Sequence, residues 1–108
     1  MRYERSDSFK ADYEKLSDSE RQLFREAARV FNAGADRVTS GGAGAWPASL
    51  RVRGVQGADG VFEMAWSFSG PDGRATWEWV TVTDRVTGQR DRAVRWRRIG
   101  GHAVFNSP

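Results

Sequence analysis

The residues best suited to chemistry lie in one stretch, Ala93-Val94-Arg95-Trp96-Arg97-Arg98-Ile99-Gly100-Gly101-His102-Ala103-Val104-Phe105. A strand-like run rich in arginine stops at a glycine pair, and the single histidine of the chain, His102, follows directly. Arginine holds phosphate through a rigid bidentate fork, and histidine changes charge near neutral pH. A cationic surface beside one such titratable side chain is what chemistry on a phosphodiester requires. The plainer reading of the same residues is a solvated basic strand followed by an exposed histidine on a C-terminal tail.

Those residues need a scaffold, and the hydrophobic pattern supplies one. Arg2-Tyr3-Glu4-Arg5 alternates as a short first strand does. Ser6-Asp7-Ser8 offers N-cap residues, and Phe9, Tyr13 and Leu16 follow at the spacing of one helical face, which predicts a helix from about Ser8 to Lys15. Ser17-Asp18-Ser19-Glu20 has the form of a capping box, so a second helix starts there. Its apolar stripe is Leu23, Phe24, Ala27, Ala28, Val30 and Phe31, and Asn32-Ala33-Gly34 is the expected stop. Two helices joined this closely form an antiparallel hairpin with one apolar face. The glycine-rich stretch from Thr39 to Pro47 lacks the Gly-Lys-Ser/Thr and the preceding strand of a phosphate loop, so it reads as a linker.

Beyond the linker the period changes to two. Leu50, Val52 and Gly54 alternate with Arg51 and Arg53, and Phe62, Met64, Trp66 and Phe68 alternate with Val61, Glu63, Ala65 and Ser67. Gly70-Pro71-Asp72-Gly73 predicts a turn into a strand at about 74–82, and Gly88 a turn into a last strand at about 93–99. The expected fold is α+β in a single domain, residues 1–108. The helical hairpin covers the aromatic face of a four-stranded, mainly antiparallel sheet, with the short N-terminal strand as an addition. Trp66, Trp77, Trp79 and Trp96 belong to the core, whereas Trp46 in the loop fits either core or base stacking. The opposite face then collects Arg51, Arg53, Glu63, Arg74, Glu78, Arg95 and Arg97, a cationic surface with carboxylates set inside it.

Composition narrows the function classes. The net charge of +3 arises wholly in residues 41–108, and 15 of the 17 basic residues are arginine. With no cysteine and one histidine, disulfides and thiolate sites are excluded and a metal centre is not expected. No apolar run has the length of a membrane span, and the charged N-terminus is unlike a signal peptide, so a soluble, cytoplasmic protein is expected.

The order of these features resembles the RelE/ParE superfamily of type II toxin-antitoxin toxins, more its RelE-like branch of mRNA interferases. The resemblance runs through Phe9, Tyr13 and Leu16, Ser19-Glu20-Arg21, the segment Trp46-Pro47-Ala48-Ser49-Leu50-Arg51-Val52-Arg53-Gly54, and Gly60-Val61-Phe62-Glu63-Met64. It continues through Arg74 and ends in Trp96-Arg97-Arg98-Ile99-Gly100-Gly101-His102, its most specific part. The resemblance implies a toxin neutralised by a cognate antitoxin protein, which cuts mRNA on the ribosome by attack of the substrate's own 2′-hydroxyl, without metal or other cofactor. It implies that Arg74 stabilises the strained phosphate, that His102 transfers a proton, and that Arg51 and Arg53 contact RNA backbone. The lysine-rich centre of some members is absent, and Ala103 or Phe105 stands where a tyrosine is often found.

In that chemistry His102 is one proton-transfer group and Glu63 the other, with Arg74 and Arg97 as the electrostatic clamp and Arg95 and Arg98 as further RNA contacts. Against this stand a turn-flanking charge for Arg74, solubility for Arg95 and Arg97, and a cross-strand ion pair for Glu63. Two other functions fit the same pattern: a ParE-like toxin that blocks DNA gyrase without nuclease chemistry, and a basic RNA-binding module. The last lacks any RNP-type aromatic signature.

Overall fold

The computed structural model describes residues 2–39, 46–67 and 73–108, the last stretch without the side chains of His102 and Ala103. In chain order the elements are β1 (Tyr3–Arg5), α1 (Asp7–Glu14), α2 (Asp18–Thr39), β2 (Arg53–Gly54), β3 (Val61–Ser67), β4 (Gly73–Thr83) and β5 (Arg90–Gly100). A 3-10 turn at Ala48–Leu50 precedes β2, and a 3-10 helix at His102–Asn106 follows β5. The five strands lie in the order β1-β5-β4-β3-β2, with β1 parallel to β5 and every other pairing antiparallel. The α+β class is as expected. The sheet, however, is five-stranded and mixed, because the N-terminal strand joins it beside β5. Parallel neighbours cannot be linked by a hairpin, and here both helices and three strands lie between them.

The last strand starts at Arg90, three residues before the expected start, and three further features differ from the sequence expectation, each for a local reason. Helix α2 continues past Asn32-Ala33-Gly34 to Thr39, since Gly34 and Ala35 are buried and extend the packed stripe; that outweighs the cost of a mid-helix glycine, about 1 kcal/mol. The strand expected from Leu50 shrinks to Arg53–Gly54, because Leu50 closes the 3-10 turn and Arg51 caps it in the left-handed region at φ 50°. The third difference is a bulge in β5. Register passes from Trp77↔Trp96 to Thr76↔Arg98, leaving Arg97 as an extra residue, so that Ile99 pairs with Ala75 and is buried. The expected turn at Gly70-Pro71-Asp72 and most of the glycine-rich linker lie outside the described residues.

The helix caps follow the sequence closely. Ser6 Oγ accepts from Phe9 N at 3.0 Å to cap α1 and donates to the carbonyl of Arg97 at 2.7 Å, tying the helix start to the bulge. Ser17 and Glu20 form the capping box of α2, with Ser17 N donating to Glu20 Oε1 at 2.8 Å and Glu20 N to Ser17 Oγ at 3.2 Å. Arg21 donates back to the carbonyls of Tyr13 and Glu14, which closes the end of α1. The core between hairpin and sheet is built from Phe9, Phe24, Phe31, Met64, Trp66, Trp77 and Trp96, with Trp79 packed at its edge. Trp46 belongs here too. It stacks on Phe31 with centroids 5.4 Å apart and donates its Nε1 hydrogen to the Phe31 carbonyl at 2.9 Å. Gly73 opens β4 because an added Cβ would lie 2.5 Å from the Trp66 indole.

The hairpin between β4 and β5 turns on Asp84, whose carboxylate accepts from Val86 N at 2.7 Å and Thr87 N at 3.1 Å, with Gly88 at φ 72°. The hydrogen bonds from Thr87 and Val86 hold the Asp84 carboxyl below the usual aspartate range. A depressed folded-state pKa contributes to turn order above the unfolded value and loses it as pH falls through the folded value. An NMR titration should therefore show Asp84 ionised below its ordinary range, with the Val86 and Thr87 amides losing protection only as Asp84 protonates. Loss of protection at higher pH would contradict this account of the turn.

Candidate functional site

Outward from the helices, the sheet face collects most of the residues expected there, but it is neither open nor strongly cationic. Glu63 Oε1 lies 3.1 Å from Arg53 Nε and 3.7 Å from Arg74 Nε. Glu78 receives Arg97 Nη1 at 2.7 Å on one oxygen and Arg95 Nη1 at 3.3 Å on the other, and Arg95 also donates to Glu4 Oε2 at 3.0 Å. Among the described residues four arginines on this face therefore meet three glutamates, since Glu4 arrives on β1 and Arg51 departs with the 3-10 turn. The near balance of charge corrects the expectation of five arginines against two carboxylates.

The centre of this face is covered. Glu63 is 5% exposed, Arg74 3% and Thr76 0%, and the 3-10 helix His102–Asn106 packs on β4 and β5 with Val104 buried. Beyond it, Pro108 O accepts from Arg97 Nε at 2.9 Å and from Thr76 Oγ1 at 3.2 Å, while Ser107 O accepts from Arg98 Nη1 at 3.2 Å. The chain past Gly101 thus folds back over the arginine face. Arg74 pairs in register with Gly100, two residues before His102, so the backbone that carries the histidine lies close to the end of β4 where Arg74 sits. The His102 side chain is outside the described residues.

Arg98 is committed elsewhere. Its Nε and Nη2 form a fork onto Asp12 of α1 at 2.6 and 3.2 Å, and Ile99 N donates to the same carboxylate at 3.2 Å. The hydrogen bond to Asp12 raises the Arg98 pKa above its ordinary value. This pair is a structural tie between α1 and β5 and leaves one guanidinium nitrogen, Nη1, for the tail. Asp12→Ala should lower stability by roughly 2 kcal/mol in a urea titration, because a part-buried cation loses a two-pronged carboxylate partner. An unchanged midpoint would show that the tie carries no weight.

Sequence reasoning missed Asp12, Thr76 and the backbone oxygens of the tail. Asp12 precedes Tyr13 on α1, and its position beside the apolar stripe was the available signal. Backbone acceptors leave no mark in side-chain spacing. Among the described residues no three His, Asp or Glu side chains gather as a metal site, and no helix is long and apolar enough to cross a membrane.

No family model, no curated protein and no solved structure matches the chain.

Proposed function

We propose that the chain is a toxin of a type II toxin-antitoxin system, a RelE-like endoribonuclease that cleaves mRNA on the ribosome and so stops translation. One observation carries the reading beside the resemblance. The fold gathers Arg53, Glu63, Arg74, Arg95 and Arg97 on one sheet face and returns the segment that starts at His102 onto that same face. In the proposed reaction the substrate's 2′-hydroxyl loses its proton to one group and attacks the adjacent phosphorus. Arginine stabilises the charge that builds on the non-bridging oxygens, and a second group protonates the leaving 5′-oxygen. His102 and Glu63 are the proposed proton-transfer pair, with Arg74 and Arg97 as the clamp. Arg51, Arg53 and Arg95 hold the flanking backbone. A cognate antitoxin, the ribosome and mRNA are the proposed partners, in the cytoplasm.

The products of that reaction have a signature. RNA recovered from a purified translation reaction should carry new 5′-hydroxyl ends and 2′,3′-cyclic or 3′-phosphate ends. New ends bearing 5′-phosphate would contradict attack by the 2′-hydroxyl. A second reading, inhibition of a protein target such as DNA gyrase, is favoured by the pairing of the face's arginines with glutamates and by the burial of Arg74 and Glu63. Intact RNA together with loss of gyrase supercoiling would establish it.

A further inference from the structure

Helix α2 and the edge strand β1 frame a cavity of about 330 Å³, a volume within the range of small-molecule sites. It lies on the far side of the sheet from the candidate active face. Tyr3 and Arg5 pair in register with Val94 and Trp96, which are buried in the core, so their side chains project to the helical side. Phe9, Phe24 and Trp96 make a rigid floor, Phe24 standing edge-on to Trp96 with centroids 5.2 Å apart. Tyr3, 56% exposed, stands at the rim.

Three arginines converge on this aromatic notch, Arg5 from β1 and Arg25 and Arg29 from successive turns of α2. Among the described residues no Asp or Glu lines the cavity, and none of the three forms an ion pair. The sheet face is the opposite case, since Arg53, Arg74, Arg95 and Arg97 each meet a glutamate there. Arg25 and Arg29 stand four residues apart on one helix, a spacing at which like charges repel and which an anion between them would relieve. Arg25 is already oriented, donating to Tyr13 Oη at 3.3 Å and to Gln22 Oε1 at 2.8 Å. Asn32 completes the α2 wall, and its Oδ1 is buried with no hydrogen-bond partner among the described residues. A turn of that carboxamide presents the acceptor to a ligand N–H.

The ligand these features describe joins a flat apolar body, an N–H donor and a concentrated negative charge. A fatty acid lacks the donor, and a single carboxylate is a weak match for three guanidinium groups. A phosphate monoester carries about −1.5 to −2 charge and takes bidentate arginine forks. We propose that this cavity binds a nucleotide with an amino-bearing base, the base against the aromatic floor beside Tyr3 and the phosphate on Arg5, Arg25 and Arg29. The site is separate from the sheet face and does not depend on the ribonuclease reading.

Calorimetric titration with AMP, followed in parallel by NMR, tests it. AMP should bind and shift the Tyr3, Arg5 and Arg29 amides and the Trp96 indole N–H. Adenosine, ribose 5-phosphate and phenyl phosphate, each lacking one of the three features, should bind about tenfold or more weakly than AMP. Arg29→Gln, an exposed change that leaves the core intact, should weaken AMP by a similar factor, the effect of losing a hydrogen bond to a charged group. A 2′-O-methyl adenosine pentanucleotide separates the two sources of this chemistry. Tighter binding than AMP at the same residues assigns the site to one unit of an RNA strand; binding no tighter than AMP assigns it to a free nucleotide. The proposal would be overturned by AMP shifts confined to the sheet face, by no AMP binding, or by an Arg29→Gln protein that binds AMP unchanged. Phenyl phosphate or an acidic tryptophan-containing peptide binding as tightly as AMP would overturn it as well.

Discussion

Replacing Arg74 by alanine should cost both stability and activity. The guanidinium is 3% exposed and lies 3.7 Å from a Glu63 carboxylate that is itself buried. Removing it leaves that carboxylate with Arg53, whose side chain is 67% exposed, as its remaining ion-pair partner among the described residues. Breaking a buried pair from one side typically costs 3–5 kcal/mol; with Arg53 retained, about 3 kcal/mol is expected in chemical denaturation. Cleavage per folded molecule should fall by about a hundredfold or more, the usual effect of losing one electrostatic stabiliser. Arg74→Lys separates the two effects, since it keeps a charge for Glu63 while losing the fork that grips a phosphate. Full activity in a folded Arg74→Ala protein would remove Arg74 from the proposed site.

The largest purely structural effect is expected at Trp77. Its side chain is 1% exposed, and its ring lies 4.8 Å from Phe62, 4.9 Å from Phe31, 5.2 Å from Trp79 and 5.8 Å from Trp46. Trp77→Ala should cost about 3–5 kcal/mol, enough to leave a domain of this size close to unfolded at room temperature. Trp77→Phe should be much milder. Among the described residues the indole Nε1 has no hydrogen-bond partner, so the smaller ring gives up volume without orphaning one there. A Trp77→Ala protein with near-normal stability would place the core elsewhere.

Much of this architecture was legible in the sequence. The capping box at Ser17 and Glu20, the stripe from Phe9 to Leu16 and the alternation around Trp77 depend on neighbours a few residues apart, and the structure reproduces them. The outward placement of Arg53, Glu63 and Glu78 also followed from period two alone. What period two could not show is the bulge at Arg97, because an extra residue shifts the register without leaving a break in the pattern. It could not show the burial of Arg74 either. The return of the tail over the same face was equally invisible, since a bond between Thr76 and Pro108, 32 residues apart, helps to hold it. Nor could a count of arginines show that Glu4 would come alongside Arg95 from the other end of the chain.

The pairing of charges on the sheet face bears directly on mechanism. An arginine already bridged to a glutamate can contribute to the proposed phosphate binding only through the donors that remain; all three nitrogens of Arg95 already donate to Glu4 or Glu78, so Arg97, held by Glu78 through Nη1, is the better placed of the two. Under the proposed function such a face would favour a ligand that places oxygens at particular points over polyanions at large.

The most direct test of the central claim is primer extension on mRNA from a purified translation reaction, with the unaltered chain and His102→Ala side by side. The account predicts new ends at a fixed position within the codon in the ribosomal decoding site, reduced about a hundredfold or more by the substitution. Translation that stops while the mRNA stays intact, or cleavage that His102→Ala leaves at full strength, would contradict it.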